Sequence, residues 1–220
     1  MNTLRGALIA FAGLVTACQS QGAPSAVGFV KPTAPLAAID LAKPQVRIQN
    51  VELSGARVND DGANRMAVSY LDVSLNEALT DAGFLVSQKP LPPESLALSR
   101  HVLRSVDPGR ADRAHLPLLS EWAIDVPRAA ERAAPPILIV FAEARINTAA
   151  HRLTQGALGI ALFAPEPITG GNRRTHAGLF SGDTGELLWA AHMSEGDVQT
   201  PVGAALVADS IVARLQADLR

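Results

Sequence analysis

The stretch from Ile137 to Asn147 constrains the fold of this chain most. Its first half, Ile137 to Phe141, is an unbroken apolar run, and its second half, up to Asn147, alternates between apolar and polar residues. An unbroken apolar run suits a strand that is covered on both faces, whereas strict alternation is typical of a strand with one face open to solvent. The sequence therefore predicts a strand that is central at one end and half exposed at the other.

The elements around this strand predict an α+β fold, with a mixed β-sheet and helices packed on it. Apolar residues recur at three- and four-residue steps from Ala63 to Ala82, which predicts a long helix that ends at Gly83. A strand over Gln45 to Leu53 precedes it, with a predicted bulge at Asn50. The other predicted elements are helices over 94–104, 116–132 and 200–219, and strands over 84–86, 158–162, 175–180 and 186–192.

The first residues have the layout of a secretory signal. Arg5 is followed by an apolar run that is too short to span a bilayer, for which about 20 apolar residues are needed. The run ends in Val15-Thr16-Ala17-Cys18, which resembles the lipobox of bacterial lipoproteins. The resemblance implies that the Cys18 thiol is lipidated and that the bond after Ala17 is cut. An ordinary secretory signal with an incidental cysteine is the alternative.

The chain therefore divides into three predicted parts. Residues 1–17 form the signal peptide, residues 18–44 the lipidated cysteine and a flexible tether, and residues 45–220 one α+β domain. The tether is predicted because Ala, Pro, Gly and Ser dominate the segment and no helical or strand period is visible. The alternative is an arm docked on the domain through the apolar residues Val27, Phe29, Val30 and Ile39.

Charge and cysteine content exclude several classes of function. After residue 17 the chain has 18 basic and 21 acidic residues, and the basic ones are scattered, so the sequence predicts no nucleic-acid partner. The one basic pair, Arg173-Arg174, is predicted to lie in a solvated loop. Cys18 is the only cysteine. A disulfide, a thiol nucleophile and a cysteine-based metal site are therefore excluded from the domain.

Two sets of residues are candidates for chemistry. Asp183-Thr184-Gly185 matches the catalytic tripeptide of aspartic proteases, but it is present once and is also suited to a hairpin turn, which we favour. The five histidines have no metal-ligand spacing, although His176 and His192 would meet if their strands pair. We favour histidines without a metal. The sequence therefore predicts no catalytic, cofactor or metal residue, and a protein that is not an enzyme.

Two short motifs and the order of elements over residues 45–220 support a family resemblance. The motifs are "ALTDAGF" (Ala78 to Phe84) and "SGDTGELLW" (Ser181 to Trp189). They look like the α/β domain of periplasm-facing envelope lipoproteins, including the curli-secretion lipoprotein family and the TolB amino-terminal-like domains. The chain departs from that pattern over 89–117 and 164–174.

The resemblance implies a scaffold or an assembly or export accessory. Such a protein would be lipid-anchored in the cell envelope and would contact another envelope protein. Gln19 is not the aspartate associated with inner-membrane retention, which favours the outer membrane facing the periplasm. Two alternatives stay open: a module that binds a small ligand or lipid in an apolar groove between sheet and helices, and an envelope hydrolase. A hydrolase would need carboxylates and histidines gathered in one pocket.

Overall fold

A computed structural model describes residues 36–52, 54–106, 134–147, 172–194 and 196–219. The lipobox and the elements predicted over 116–132 and 158–162 lie outside these residues. The described part is a mixed sheet with helices packed on it, which confirms the α+β class. Its strands are β1 (Ala38–Ala42), β2 (Gln45–Val51), β3 (Arg57–Asn59), β4 (Leu85–Lys89), β5 (Ile137–Asn147), β6 (Asn172–Phe180) and β7 (Leu187–Met193). Its helices are α1 (Asp61–Asp81), α2 (Pro93–Ser105) and α3 (Pro201–Leu219).

The sheet is built around β5. β1 and β2 follow one another along one side of β5 and both run parallel to it. β6 pairs antiparallel on the other side and β7 pairs antiparallel with β6. β4 extends the sheet beyond β1 in parallel, and the short β3 pairs antiparallel with β2. The central position predicted for β5 is confirmed.

One face of the sheet is covered by α1 and α3. Helix α1 buries one residue per turn against this face, because its apolar residues recur every four positions. The final helix packs beside α1, and both cover alternate residues of β5. The fully or almost fully buried side chains of this layer include Ala67, Leu71, Leu75, Leu79, Leu138, Val140, Ala142, Ala208, Ile211 and Leu215. Burying each large aliphatic side chain is worth about 1.5–3 kcal/mol, so this layer is the main source of stability.

Among the described residues, α2 covers the opposite face, and it does so over the first half of β5. Val102 and Leu103 pack there against Ile137 and Ile139. Gly178 lets the helix approach closely, because a Cβ atom at this position would collide with the Leu103 side chain. This arrangement confirms the prediction that β5 is covered on both faces at its beginning and half exposed at its end.

The predicted boundary between tether and domain is wrong. Residues 38–42, assigned to the tether, form β1, and Ile39 and Leu41 have no exposed surface. Asp40 in this strand accepts a hydrogen bond from Ser87 Oγ and lies 3.7 Å from Lys89 Nζ. The described domain therefore starts at Leu36, and the docked-arm alternative holds at Ile39. The sequence pattern does not predict this strand, because it has only five residues and lies among prolines and small residues.

The predicted bulge at Asn50 is also absent from the described strands. β2 pairs without interruption from Gln45 to Val51 against residues 141–147. Val51 lies on the opposite side of the strand from Val46 and Ile48, as simple alternation requires. Apolar residues therefore occur on both faces of this strand, with Val46 and Ile48 on one face and Val51 on the other.

The predicted end of α1 at Gly83 is confirmed, and capping residues mark the start of both long helices. The Asp60 carboxylate accepts a hydrogen bond from the Ala63 amide at 2.9 Å, and Gly83 follows the helix with a φ of 89°. At the final helix, Thr200 Oγ1 accepts from the Gly203 amide at 3.1 Å, directly before Pro201. Local sequence is therefore sufficient to place both long helices.

Candidate functional site: an arginine-lined face of the sheet

Beyond the end of α2, the face that this helix covers becomes polar. Its side chains surround a cavity of about 530 Å³. We call this surface the arginine face, because five guanidinium groups and one carboxylate line it. Its members are Arg47, Gln49, Arg57, Arg104, Glu143, Arg145, Arg174, His176 and His192. The sheet face thus changes from an apolar packing surface to a cationic depression within one strand length.

Strand pairing brings these arginines together from distant parts of the chain. Glu143 is opposite Arg47 on one side and Arg174 on the other. Directly paired residues have Cβ atoms about 5 Å apart. Arg145 is two residues further along the same strand, about 7 Å away on the same face. Arg57 on β3 is opposite Val51, at the far end of the same face.

The carboxylate of this face is already engaged. Arg104 of α2 forms an ion pair with Glu143. Arg100 and Arg104 also lie over the Phe141 ring, with guanidinium carbons 4.7 and 5.0 Å from its centroid. Burial is the main cause of a lowered pKa at Arg100. The charges of Arg104 and Arg47 lower this pKa further, and the charge of Glu143 opposes them.

Four guanidinium groups of the arginine face have no carboxylate partner in the part of the chain that the structure describes. Within the described ranges, no ion pair joins Arg47, Arg57, Arg145 or Arg174 to an acidic side chain. The chain as a whole has a formal net charge of −2. Positive charge is therefore concentrated here on a protein that is otherwise slightly acidic, and the concentration favours an anionic ligand.

The predicted meeting of His176 and His192 is confirmed at the edge of this cavity. Their rings stack with centroids 4.4 Å apart, and the Phe141 ring lies 6.3 Å from that of His176. His176 is only 5% exposed, and its burial, followed by the nearby charge of His192, lowers its pKa to about 4. At neutral pH the His176 imidazole is therefore uncharged.

The histidine pair does not extend to a three-residue metal site in the described part of the chain. No group of three His, Cys, Asp or Glu side chains with suitable spacing occurs there. The surrounding arginines also disfavour a cation by charge repulsion. His101 lies exposed on α2, and His115 and His151 fall outside the described residues.

Asp183 lies at the tip of the β6–β7 hairpin, as the turn interpretation predicts. It is exposed, and its Oδ1 accepts a hydrogen bond from the Ala134 amide at 2.8 Å. Gly185 has a φ of 73°, a conformation that favours glycine. The Gly185 amide donates to the Ser181 carbonyl at 2.9 Å, which closes the turn.

The prediction of a solvated loop at Arg173-Arg174 is wrong, because both residues belong to β6. They point to opposite faces: Arg174 lines the cavity, whereas Arg173 forms an ion pair with Asp197 at 3.2 Å. The arginine face was missed because its residues are far apart in sequence. The available signal was polar residues at alternate strand positions, as in Arg47 and Gln49 or Glu143 and Arg145.

The cavity meets part of the condition set above for a hydrolase, since it gathers two histidines and one carboxylate. Glu143, however, is held by Arg104, and the lining residues include no serine, threonine or cysteine. Guanidinium groups are donors that match carboxylate and phosphate oxygens. What the described geometry offers is recognition of an anion.

Comparisons with known proteins add little to this geometry. No protein-family model matches the chain, and no curated protein matches it. Among solved structures, the chain is similar to the crystal structure of lipoprotein GNA1162 from Neisseria meningitidis, with 14% identity and a TM-score of 0.26. The similarity covers 84% of this chain and 99% of that one. None of the helices among the described residues is both long and apolar enough to cross a membrane.

Proposed function

We propose that this protein is a lipid-anchored component of the bacterial cell envelope that acts as a scaffold or as an assembly or export accessory. The sequence Val15-Thr16-Ala17-Cys18 supports lipidation of Cys18. Residue 36, where the described domain starts, is 18 positions beyond Cys18. A chain of that length reaches at most about 60 Å. The domain thus stays within reach of the membrane, and Gln19 favours the outer membrane facing the periplasm.

The observation that carries the contact role is a set of exposed apolar side chains on α1 and α3. Met66 and Val73 are 55% and 53% exposed and lie two turns apart on α1. Val202 and Leu206 are 72% and 60% exposed and lie one turn apart on α3. Residues at these spacings share one side of a helix, so each pair forms a small exposed apolar patch, and such patches favour a protein partner.

The anchor is tested by replacing the acceptor thiol. Cys18→Ala abolishes incorporation of a labelled fatty acid and slows removal of the signal, because no thiol is left to acylate. The parent chain expressed at the same level is the control. Equal label on the two proteins would refute the anchor.

The contact role is tested by mild cross-linking in membranes followed by co-purification. Met66→Lys and Leu206→Lys are expected to reduce recovery of a reproducible envelope protein, because each places a charge in the proposed contact. Ala97→Lys, at an exposed position of α2 on the opposite face of the sheet, is the matched control. A partner that is lost equally in all three variants, or in none, contradicts this surface as the contact.

A further inference from the structure

We infer that the arginine face binds a compact, soluble ligand that carries two or more phosphate groups. The inference goes beyond the scaffold role and does not depend on the anchor at Cys18. It is based on the cavity, on its charge and on the donors that line it.

The charge of the cavity sets the charge of the ligand. Five arginines and one glutamate line it, and the glutamate is neutralised by Arg104. Arg47 and Arg174 flank Glu143 in neighbouring strands, which places their Cβ atoms about 10 Å apart. Like charges on neighbouring strands repel one another, and a ligand with several negative charges compensates them better than a singly charged ligand.

The charge density of the ligand group favours phosphate over carboxylate. The guanidinium group is planar and presents paired N–H donors that bind two oxygens of one phosphate at once. A phosphate group also places up to two charges and three acceptor oxygens on a single tetrahedral centre. Two linked phosphates fit in a cavity of about 530 Å³ and reach arginines on more than one strand.

The apolar residues argue for a soluble ligand. Among the described residues, the exposed large hydrophobic side chains are Val58, Met66, Val73, Leu85, Leu98, Val202 and Leu206, and none of them lines the cavity. A surface that docks on a bilayer combines basic residues with apolar ones that enter the acyl boundary. The arginine face lacks that second component.

The side chains of His176 and His192 form one edge of the proposed binding site. The His176 Nδ1 atom is buried and has no hydrogen-bond partner among the described residues. A buried polar atom of this kind is costly unless it bonds to a ligand or to water. Glu143, Arg104, Arg174 and His192 are the charged and titratable groups that face His176.

The test is isothermal titration calorimetry on the full chain in detergent, with tripolyphosphate as the probe. We expect binding that weakens as salt is added. Arg145→Gln and Arg174→Gln should each weaken it about tenfold, because each removes a charge-assisted contact to phosphate. Arg65→Gln, which removes the same charge from an exposed position on α1, should bind like the parent. Thermal melting of each variant verifies that it is folded.

Three comparison probes make the result decisive. Citrate carries a similar charge on carboxylates, glycerophosphoglycerol is the soluble headgroup of an anionic phospholipid, and a poly-glutamate peptide represents an acidic protein segment. All three should bind at least about tenfold more weakly than tripolyphosphate, because none of them places several charges and acceptor oxygens on each of two linked centres. The inference is overturned if tripolyphosphate does not bind, if any of the three probes binds equally well, or if Arg65→Gln weakens binding as much as Arg174→Gln. The anchor experiment with Cys18→Ala is unaffected by any of these results.

Discussion

The two faces of one sheet differ along the length of β5. On the face of α1 and α3, Leu138, Val140 and Ala142 are almost completely buried. On the other face, the same strand passes from Ile137 and Ile139 under α2 to Glu143 and Arg145 in an open cavity. The same backbone carries both faces, because successive side chains of a strand point to opposite sides of the sheet.

This difference separates stability from recognition. The covered face removes large aliphatic side chains from water. Burial of these side chains supplies most of the stability of the described domain. The arginine face removes little apolar surface and holds like charges together. Such charges are tolerated because the opposite face keeps the strands in register, so the cavity can be altered with little loss of folding.

The largest effect is expected from removing β1. A chain that begins at Lys43 lacks Ile39 and Leu41, both fully buried, and leaves β4 without its strand partner. We expect this chain to unfold without a cooperative transition by circular dichroism, whereas a chain that begins at Ala34 melts cooperatively. Equal melting temperatures for the two truncated chains would contradict the assignment of β1 to the core.

The next effect contrasts the two faces directly. Leu71→Ala should lower the free energy of unfolding by about 2–5 kcal/mol, because it leaves a cavity in the packed layer. Arg145→Ala, on the arginine face, should change it by less than about 0.5 kcal/mol. Urea unfolding of both variants measures the contrast. A loss in Arg145→Ala as large as that in Leu71→Ala would mean that the arginine face is structural.

Sequence reasoning succeeded where local signals determine the structure. Helix α1 has a four-residue apolar repeat, a capping Asp60 and a terminating Gly83, all within one segment. It failed at β1, because five residues between prolines have no period, and the burial of Ile39 depends on partners in β4 and β5.

The arginine face could not be predicted in the same way. Arg47 and Arg174 flank the same residue of β5, although 127 positions separate them in the chain. Their proximity depends on strand order and register. The His176–His192 contact was within reach of the sequence, because a short hairpin joins two adjacent strands and leaves little freedom of register.

A smaller effect is expected when His176 is titrated. Its pKa is about 4 in the folded protein, below the ordinary value near 6.5, because it is buried and next to His192. Between these two pH values the unfolded chain binds the proton more readily, so stability rises with pH and falls on acidification. The loss between pH 7 and pH 4.5 should be on the order of 2 kcal/mol for this one group.

His176→Gln isolates that contribution, because carboxylates titrate over the same range in both proteins. Urea midpoints of parent and variant are compared at the two pH values. The variant should lose less stability than the parent on acidification. If both lose the same amount, the pKa of His176 is not lowered by the fold, and the imidazole is more accessible than its 5% exposure implies.

The smallest effect is expected at the hairpin, where it separates a turn from a catalytic carboxylate. Asp183 accepts the Ala134 amide through Oδ1, and an asparagine retains that acceptor, so Asp183→Asn should cost less than about 0.5 kcal/mol. Gly185→Val is the positive control for damage to the turn. A β-branched residue held at a φ of 73° costs about 1–3 kcal/mol. Thermal melting and cellular complementation are measured on both variants. Asp183→Asn should keep both properties, because the carboxylate charge has no role in the turn. A folded, abundant Asp183→Asn protein that fails to complement would instead give Asp183 a chemical role and refute the prediction that the protein is not an enzyme.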